Sequence, residues 1–219
     1  MKKIILLSLG LLVSNVNANV DDFLVKKTYS VSYNETPHYK EIVNQHLVKK
    51  VKGYQKGWYF CGQSAWATAF NILRSDRNAN KVKQLEYFHK KLSKYASYAN
   101  SYRKEADGNL LAKITNGRSD FKVLHKTTTS RKYAKSYLHE ALVSSKHQLP
   151  IVLSQLKVNG GTFGHFYVVY KVDYRDGGKV YYADPSTGRT GSMIYSNFLN
   201  GMKDAGTKGR YSFWIVRKK

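Results

Sequence analysis

Phe163-Gly164-His165-Phe166-Tyr167-Val168-Val169-Tyr170-Lys171-Val172-Asp173-Tyr174-Arg175-Asp176-Gly177-Gly178-Lys179-Val180-Tyr181-Tyr182-Ala183-Asp184 carries two runs of β-branched and aromatic residues on either side of an Asp-Gly-Gly turn. Val, Tyr and Phe fit a pleated surface, and glycines after an aspartate supply the positive φ that a tight hairpin demands. The stretch reads as an antiparallel hairpin with strands over residues 163–172 and 179–184. The same composition predicts strands at 151–153 and 211–217, with a short helix or turn at 196–202.

Upstream of residue 150 the period changes. Ala65, Ala69, Ile72 and Leu73 recur at helical spacing over residues 62–74, joined by Trp66 and Phe70. Apolar residues on nearly every side imply a buried helix. A second helix is predicted over residues 82–106, with Leu85, Phe88, Leu92 and Tyr95 on one side and lysines on the other. A third, amphipathic, covers 131–147 and stops before Pro150. A helical N-terminal half followed by a mostly antiparallel sheet is an α+β arrangement. No internal repeat or low-complexity tract interrupts it.

Residues 1–18 stand apart from this pattern. Lys2 and Lys3 precede an apolar run at 4–13, and Val16-Asn17-Ala18 places small residues where a signal peptidase cuts. That is the pattern of a secretory signal peptide, and it implies a secreted or periplasmic protein. The run is too short to span a bilayer, which takes about 20 residues. Residues 19–50 are polar, with strand-like alternation at 27–32, and read as an N-terminal arm. Residues 51–219 then form one domain, long enough to bury a core without disulfides.

Lys and Arg number 37 against 14 Asp and Glu, a formal charge of +23. Such a field attracts polyanions, for an exported protein the anionic polymers of an envelope or wall. The cations are spread along the whole chain, so no specific nucleic-acid site is implied. His, Cys, Asp and Glu nowhere cluster at metal-ligand spacing, and no phosphate-cradling loop is present. No cofactor is expected.

The chain has 1 cysteine. Exported proteins ordinarily pair their thiols, so a lone cysteine is kept either as a small buried hydrophobe or for its chemistry. Cys61 sits where the loop Gly53-Tyr54-Gln55-Lys56-Gly57-Trp58-Tyr59-Phe60 meets the first turn of the buried helix. The positive end of a helix dipole favours a thiolate there, and backbone N–H groups can hold an oxyanion. Gln55, six residues upstream, is within reach to add a side-chain amide. Of the 7 histidines, six lie in polar arms or on lysine-rich faces. His165 instead opens a buried strand after Gly160-Gly161-Thr162-Phe163-Gly164, where small residues let it face a cleft. Taking the hairpin loop as 173–178, position 165 lies opposite 186, which puts Asp184 on the same face as His165.

Gln55, Cys61-Gly62 at a helix start, Gly164-His165 at a strand start and Asp184-Pro185 at the end of the next strand together resemble the papain-like cysteine peptidases. The nearest branch is that of bacteriocin-leader-processing and bacterial secreted or effector proteases, and the resemblance spans about residues 50–217. It implies a papain-like fold, with Cys61 as nucleophile, His165 as base, Asp184 orienting the imidazole and Gln55 in the oxyanion hole. Trp58 and Gly164 are the candidates for substrate contact. Two departures stand out: Phe60 occupies a position that is often acidic in that branch, and no second cysteine precedes the nucleophile. The expected activity is hydrolysis of peptide bonds in a protein or peptide substrate. The same thioester chemistry also serves a deamidase or transglutaminase-type toxin, and a cationic envelope-binding module without catalysis is the non-enzymatic rival.

Overall fold

The computed structural model describes residues 30–32, 36–54, 60–95, 107–144, 147–158 and 161–219. In chain order they form β1 (Ser30–Ser32), a 3-10 turn (Gln45–Lys50), α1 (Cys61–Arg74), α2 (Lys81–Leu92), α3 (Gly108–Asn116), β2 (Phe121–Thr128) and α4 (Arg131–Val143). β3 (Gln148–Val158), β4 (Gly161–Asp173), β5 (Lys179–Asp184), β6 (Arg189–Ile194), α5 (Tyr195–Ala205) and β7 (Tyr211–Lys218) complete the fold. All strand pairings are antiparallel, in the order β2-β7-β3-β4-β5-β6, with β1 added beside β4. Helices in the first half and an antiparallel sheet in the second give the expected α+β architecture.

The sheet has a core on each face. Ala65, Trp66 and Phe70 of α1, Leu85 and Phe88 of α2 and Leu111 of α3 pack on Phe166, Val168, Trp214 and Val216. Leu138 of α4 and Phe198, Leu199 and Met202 of α5 cover the opposite face, on Val152, Tyr167, Val169, Phe213 and Ile215. β4 is buried on both faces, which explains its unbroken apolar run in place of alternation. α1 is buried at every position except Arg74.

Several boundaries differ from those predicted. The helix expected over 82–106 ends at Leu92, where the Ser93 hydroxyl hydrogen-bonds to the Lys90 carbonyl and competes with the next helical bond. Residues 96–106 lie outside the described residues. α3 then starts afresh at Gly108, capped by the Asp107 side chain on the Asn109 N–H. α4 stops at Val143, short of 147, and β3 extends both ways beyond 151–153. Strands β2 and β6 were not predicted at all. The residues expected at 1–29 likewise lie outside the described residues.

The hairpin register holds the largest surprise. Asp173 pairs with Lys179, so the loop is 174–178, one residue shorter than the sequence suggested. A bulge between Val169 and Lys171 takes Tyr170 out of the ladder and shifts the register back. Val168 then pairs with Ala183, and continuing that ladder sets position 165 opposite 186. The two offsets cancel at the end of the hairpin that matters. Val169 and Val172, three residues apart, both face the α4–α5 core as a result.

Candidate active site

Cys61 is the first residue of α1 and is 5% exposed. Its N-cap, Phe60, contributes no side-chain hydrogen bond, and no acidic residue occupies the first turn. A helix start of this kind keeps its positive end available to an anion. Phe60 itself packs edge-on to Tyr54 and stacks on His89 of α2, with ring centroids 6.2 Å and 6.0 Å apart. His89 had the sequence character of a solvated histidine; burial against this loop lowers its pKa instead.

The adjoining Gly62 brings α1 onto β4. A Cβ there would meet Leu111 Cδ1 at 2.9 Å and the Phe166 ring at 3.4 Å, so only glycine permits this approach without a shift. Phe166 is the neighbour of His165, and the helix start therefore lies against the beginning of β4.

His165 is 3% exposed. Its Nε2 lies 2.7 Å from Oδ1 of Asp184, the last residue of β5. Asp184 Oδ1 also accepts from the Ser186 N–H at 2.8 Å, and the Ser186 hydroxyl lies 2.7 Å from both carboxylate oxygens. The Thr187 hydroxyl reaches Oδ2 at 3.4 Å. Burial works to raise the Asp184 pKa, but the hydrogen bonds from His165 and Ser186 outweigh it and hold the carboxyl below its ordinary value. The turn is braced from outside, since Gln45 N–H donates to the Pro185 carbonyl at 2.8 Å.

Tyr167, which the sequence reading passed over, ties these groups together. Its ring meets the His165 imidazole edge-on, with centroids 4.7 Å apart and planes at 81°. Burial, then the charges of Asp184, Tyr182 and Cys61, push its phenol pKa well up, so it stays neutral. Cys61 and Asp184 thus both act electrostatically on the one tyrosine that touches His165. Gly164 is half-buried just before the imidazole, opposite Gln155 of β3. Gln55 and Trp58 lie outside the described residues. Ser186 and Thr187 were also missed, although Asp184-Pro185-Ser186-Thr187-Gly188 has the composition of a turn closed by an aspartate side chain.

A buried imidazole fixed by a carboxylate, beside a helix start that carries the lone thiol, is equipped for nucleophilic chemistry. Among the described residues, no group of three or more His, Cys, Asp or Glu is gathered as for a metal ion. A family model described as papain-like cysteine protease AvrRpt2 matches residues 50–203. No curated protein matches the chain.

Proposed function

The chain belongs to the papain-like cysteine protease AvrRpt2 family, and on that premise we propose that Cys61, His165 and Asp184 are its catalytic triad. The observation that supports this most is the buried 2.7 Å contact between His165 Nε2 and Asp184 Oδ1. A carboxylate held ionised can only accept, so the proton in that bond sits on Nε2. Nδ1 is then the nitrogen that takes the Cys61 proton.

The thiolate attacks the scissile carbonyl carbon, and the C–S bond forms as the carbonyl π electrons move to oxygen. Backbone N–H groups at the start of α1, with the Gln55 amide, receive that oxyanion. As it collapses, the C–N bond breaks and Nδ1 returns its proton to the leaving amine. Water, deprotonated by the same nitrogen, then hydrolyses the thioester and releases the thiol. Tyr167 stays a neutral phenol throughout.

Residues 1–18 support export of the enzyme, with maturation at Asn19 and action on proteins outside the producing cytoplasm, as an effector or toxin. The charge of +23 supports adsorption to anionic envelope or wall polymers, in binding that weakens as salt rises. No helix among the described residues is long and apolar enough to cross a membrane.

The test incubates the protein and its Cys61→Ala variant with a whole-proteome extract under reducing conditions, and counts new peptide N-termini by mass spectrometry. New termini with the unaltered protein alone are expected. Glutamine-to-glutamate conversion without cleavage would replace peptide-bond hydrolysis by side-chain deamidation, and crosslinks would replace it by acyl transfer to an amine. Equal cleavage by both proteins would sink the assignment of Cys61.

A further inference from the structure

A cleft of about 580 Å³ is lined by Tyr167 and Asp184, the two residues that also contact the His165 imidazole. Those two residues both support His165 and form the cleft's inner wall, so it begins one side chain away from the base. Its size suits one or two substrate side chains. Tyr182 and Met193 supply half-buried apolar walls, and Gln155, Asn197 and Asn200 supply amides.

The charge of this cleft runs against the rest of the molecule. Lys and Arg outnumber acids by 37 to 14 in the chain, yet among the described residues none of either lines it. Asp204 does. It stands in the last turn of α5, where the negative end of the helix dipole repels a carboxylate. Among the described residues no lysine or arginine forms an ion pair with it. Asp184 cannot share the task of binding, since both its oxygens are already engaged by His165, Ser186 and Thr187. Asn200 gives its carbonyl oxygen to the Arg131 guanidinium at 2.8 Å. That leaves Asp204 as the one carboxylate of the lining without a partner of its own. An apolar wall that ends in an unneutralised acid matches a long side chain with a cationic tip.

We propose that this cleft is a specificity subsite for a lysine or arginine of the substrate, whose stem lies along Tyr182 and Met193 and whose cation meets the Asp204 carboxylate. The proposal rests on the peptidase reading above and names the kind of residue that the enzyme selects near the scissile bond. A substrate with lysine or arginine at that position is recognised despite the protein's own positive field, because the contact with Asp204 is local and no lysine or arginine among the described residues lines the cleft.

The experiment measures alkylation of Cys61 by epoxysuccinyl peptides carrying lysine, arginine, norleucine or glutamate, placed in turn on either side of the electrophile. The thiolate opens the epoxide ring, so no hydrolysis is required, and each rate is divided by that of iodoacetamide on the same variant. The unaltered protein should react at one position about threefold or more faster with lysine or arginine than with norleucine, the worth of one solvent-screened ion pair. Asp204→Asn should bring that ratio to about one, and Asp204→Lys should turn the preference toward glutamate. Equal rates for lysine and norleucine, or a preference that survives Asp204→Asn, would overturn the subsite. If Cys61 is alkylated with the expected ratio while no protein is ever cut, the subsite stands and the peptidase reading falls.

Discussion

Asp184 is better supported than the neutralisation of one imidazolium requires. The Ser186 N–H and hydroxyl, with Thr187, occupy the carboxylate positions that His165 leaves, and this fixes both the charge and the rotamer. Replacing Asp184 with Asn presents an amide that can donate, which favours the wrong tautomer of His165. Turnover is expected to fall by about 10²–10⁴ with little change in KM, as for an orienting carboxylate; Cys61→Ala should abolish it while the unfolding midpoint is retained. Ser186→Ala is the more discriminating change. Without that donor the Asp184 pKa rises, so the acid limb of kcat/KM should move to higher pH, and a profile measured from pH 3 to 7 checks it. An unmoved limb would mean that Ser186 only shapes the turn. The juxtaposition of His165 and Asp184 was legible because both lie on one hairpin whose register can be counted. Tyr167 was not, since a tyrosine inside a buried apolar strand looks the same in sequence whether it faces a core or an imidazole.

Between elements, the contact that positions Cys61 is α1 against β4. Gly62→Ala brings two opposed effects. Alanine is the better helix former by about 1 kcal/mol, but the new Cβ meets Leu111 Cδ1 at 2.9 Å and the Phe166 ring at 3.4 Å. Overpacking of this kind costs about 1–3 kcal/mol, so it should win narrowly in stability. Its effect on rate is expected to be larger, because shifting the helix start moves Cys61 relative to His165, and a displacement of about 1 Å can cost about 10²-fold. Thermal unfolding and kcat measured on the same preparation separate the two. The central strands and α1 were readable in the sequence because burial on both faces leaves dense apolar runs. Both edge strands escaped detection for the converse reason: only Phe121 of β2 and no residue of β6 is buried, and β6 reads Arg-Thr-Gly-Ser-Met-Ile. Lysine, arginine and glycine at a sheet edge guard against pairing with other chains, at the cost of a recognisable pattern. The bulge at Tyr170 was equally invisible, yet it puts His165 and Asp184 on one face.

At the scale of the whole molecule, few acids stand against many bases, and the folded state depends on where those acids are placed. Asp120 accepts from the Arg118 guanidinium at 2.8 Å and 2.9 Å and also pairs with Arg74. Those two arginines lie over the Phe70 and Phe121 rings, which themselves stack 4.3 Å apart. The hydrogen bond from Arg118, then its charge and that of Arg74, hold the Asp120 pKa at about 2 against burial. Asp173 is likewise held at about 2, chiefly by hydrogen bonds from Arg175. Both folded values lie below the ordinary 3.8, so the unfolded chain takes up these protons first as the pH falls. Their stabilisation is complete above about pH 4 and is lost between there and about pH 2. Solvent limits the Asp120 pairing to about 1 kcal/mol or less and weakens the exposed Arg175 pairing further. Over the same range, protonation of the 14 acidic residues raises a charge that is already +23, and self-repulsion adds to the loss. The unfolding midpoint should therefore drop steeply from pH 4 to pH 2, and less steeply in high salt, which screens the repulsion. Asp120→Asn isolates the local part. It should lower the midpoint at pH 7, where Arg74 and Arg118 are left facing each other, and come close to the unaltered protein at pH 2, where Asp120 is about half protonated and most of its stabilisation is gone. A difference that persists undiminished at pH 2 would show that Asp120 acts through packing and not through its charge.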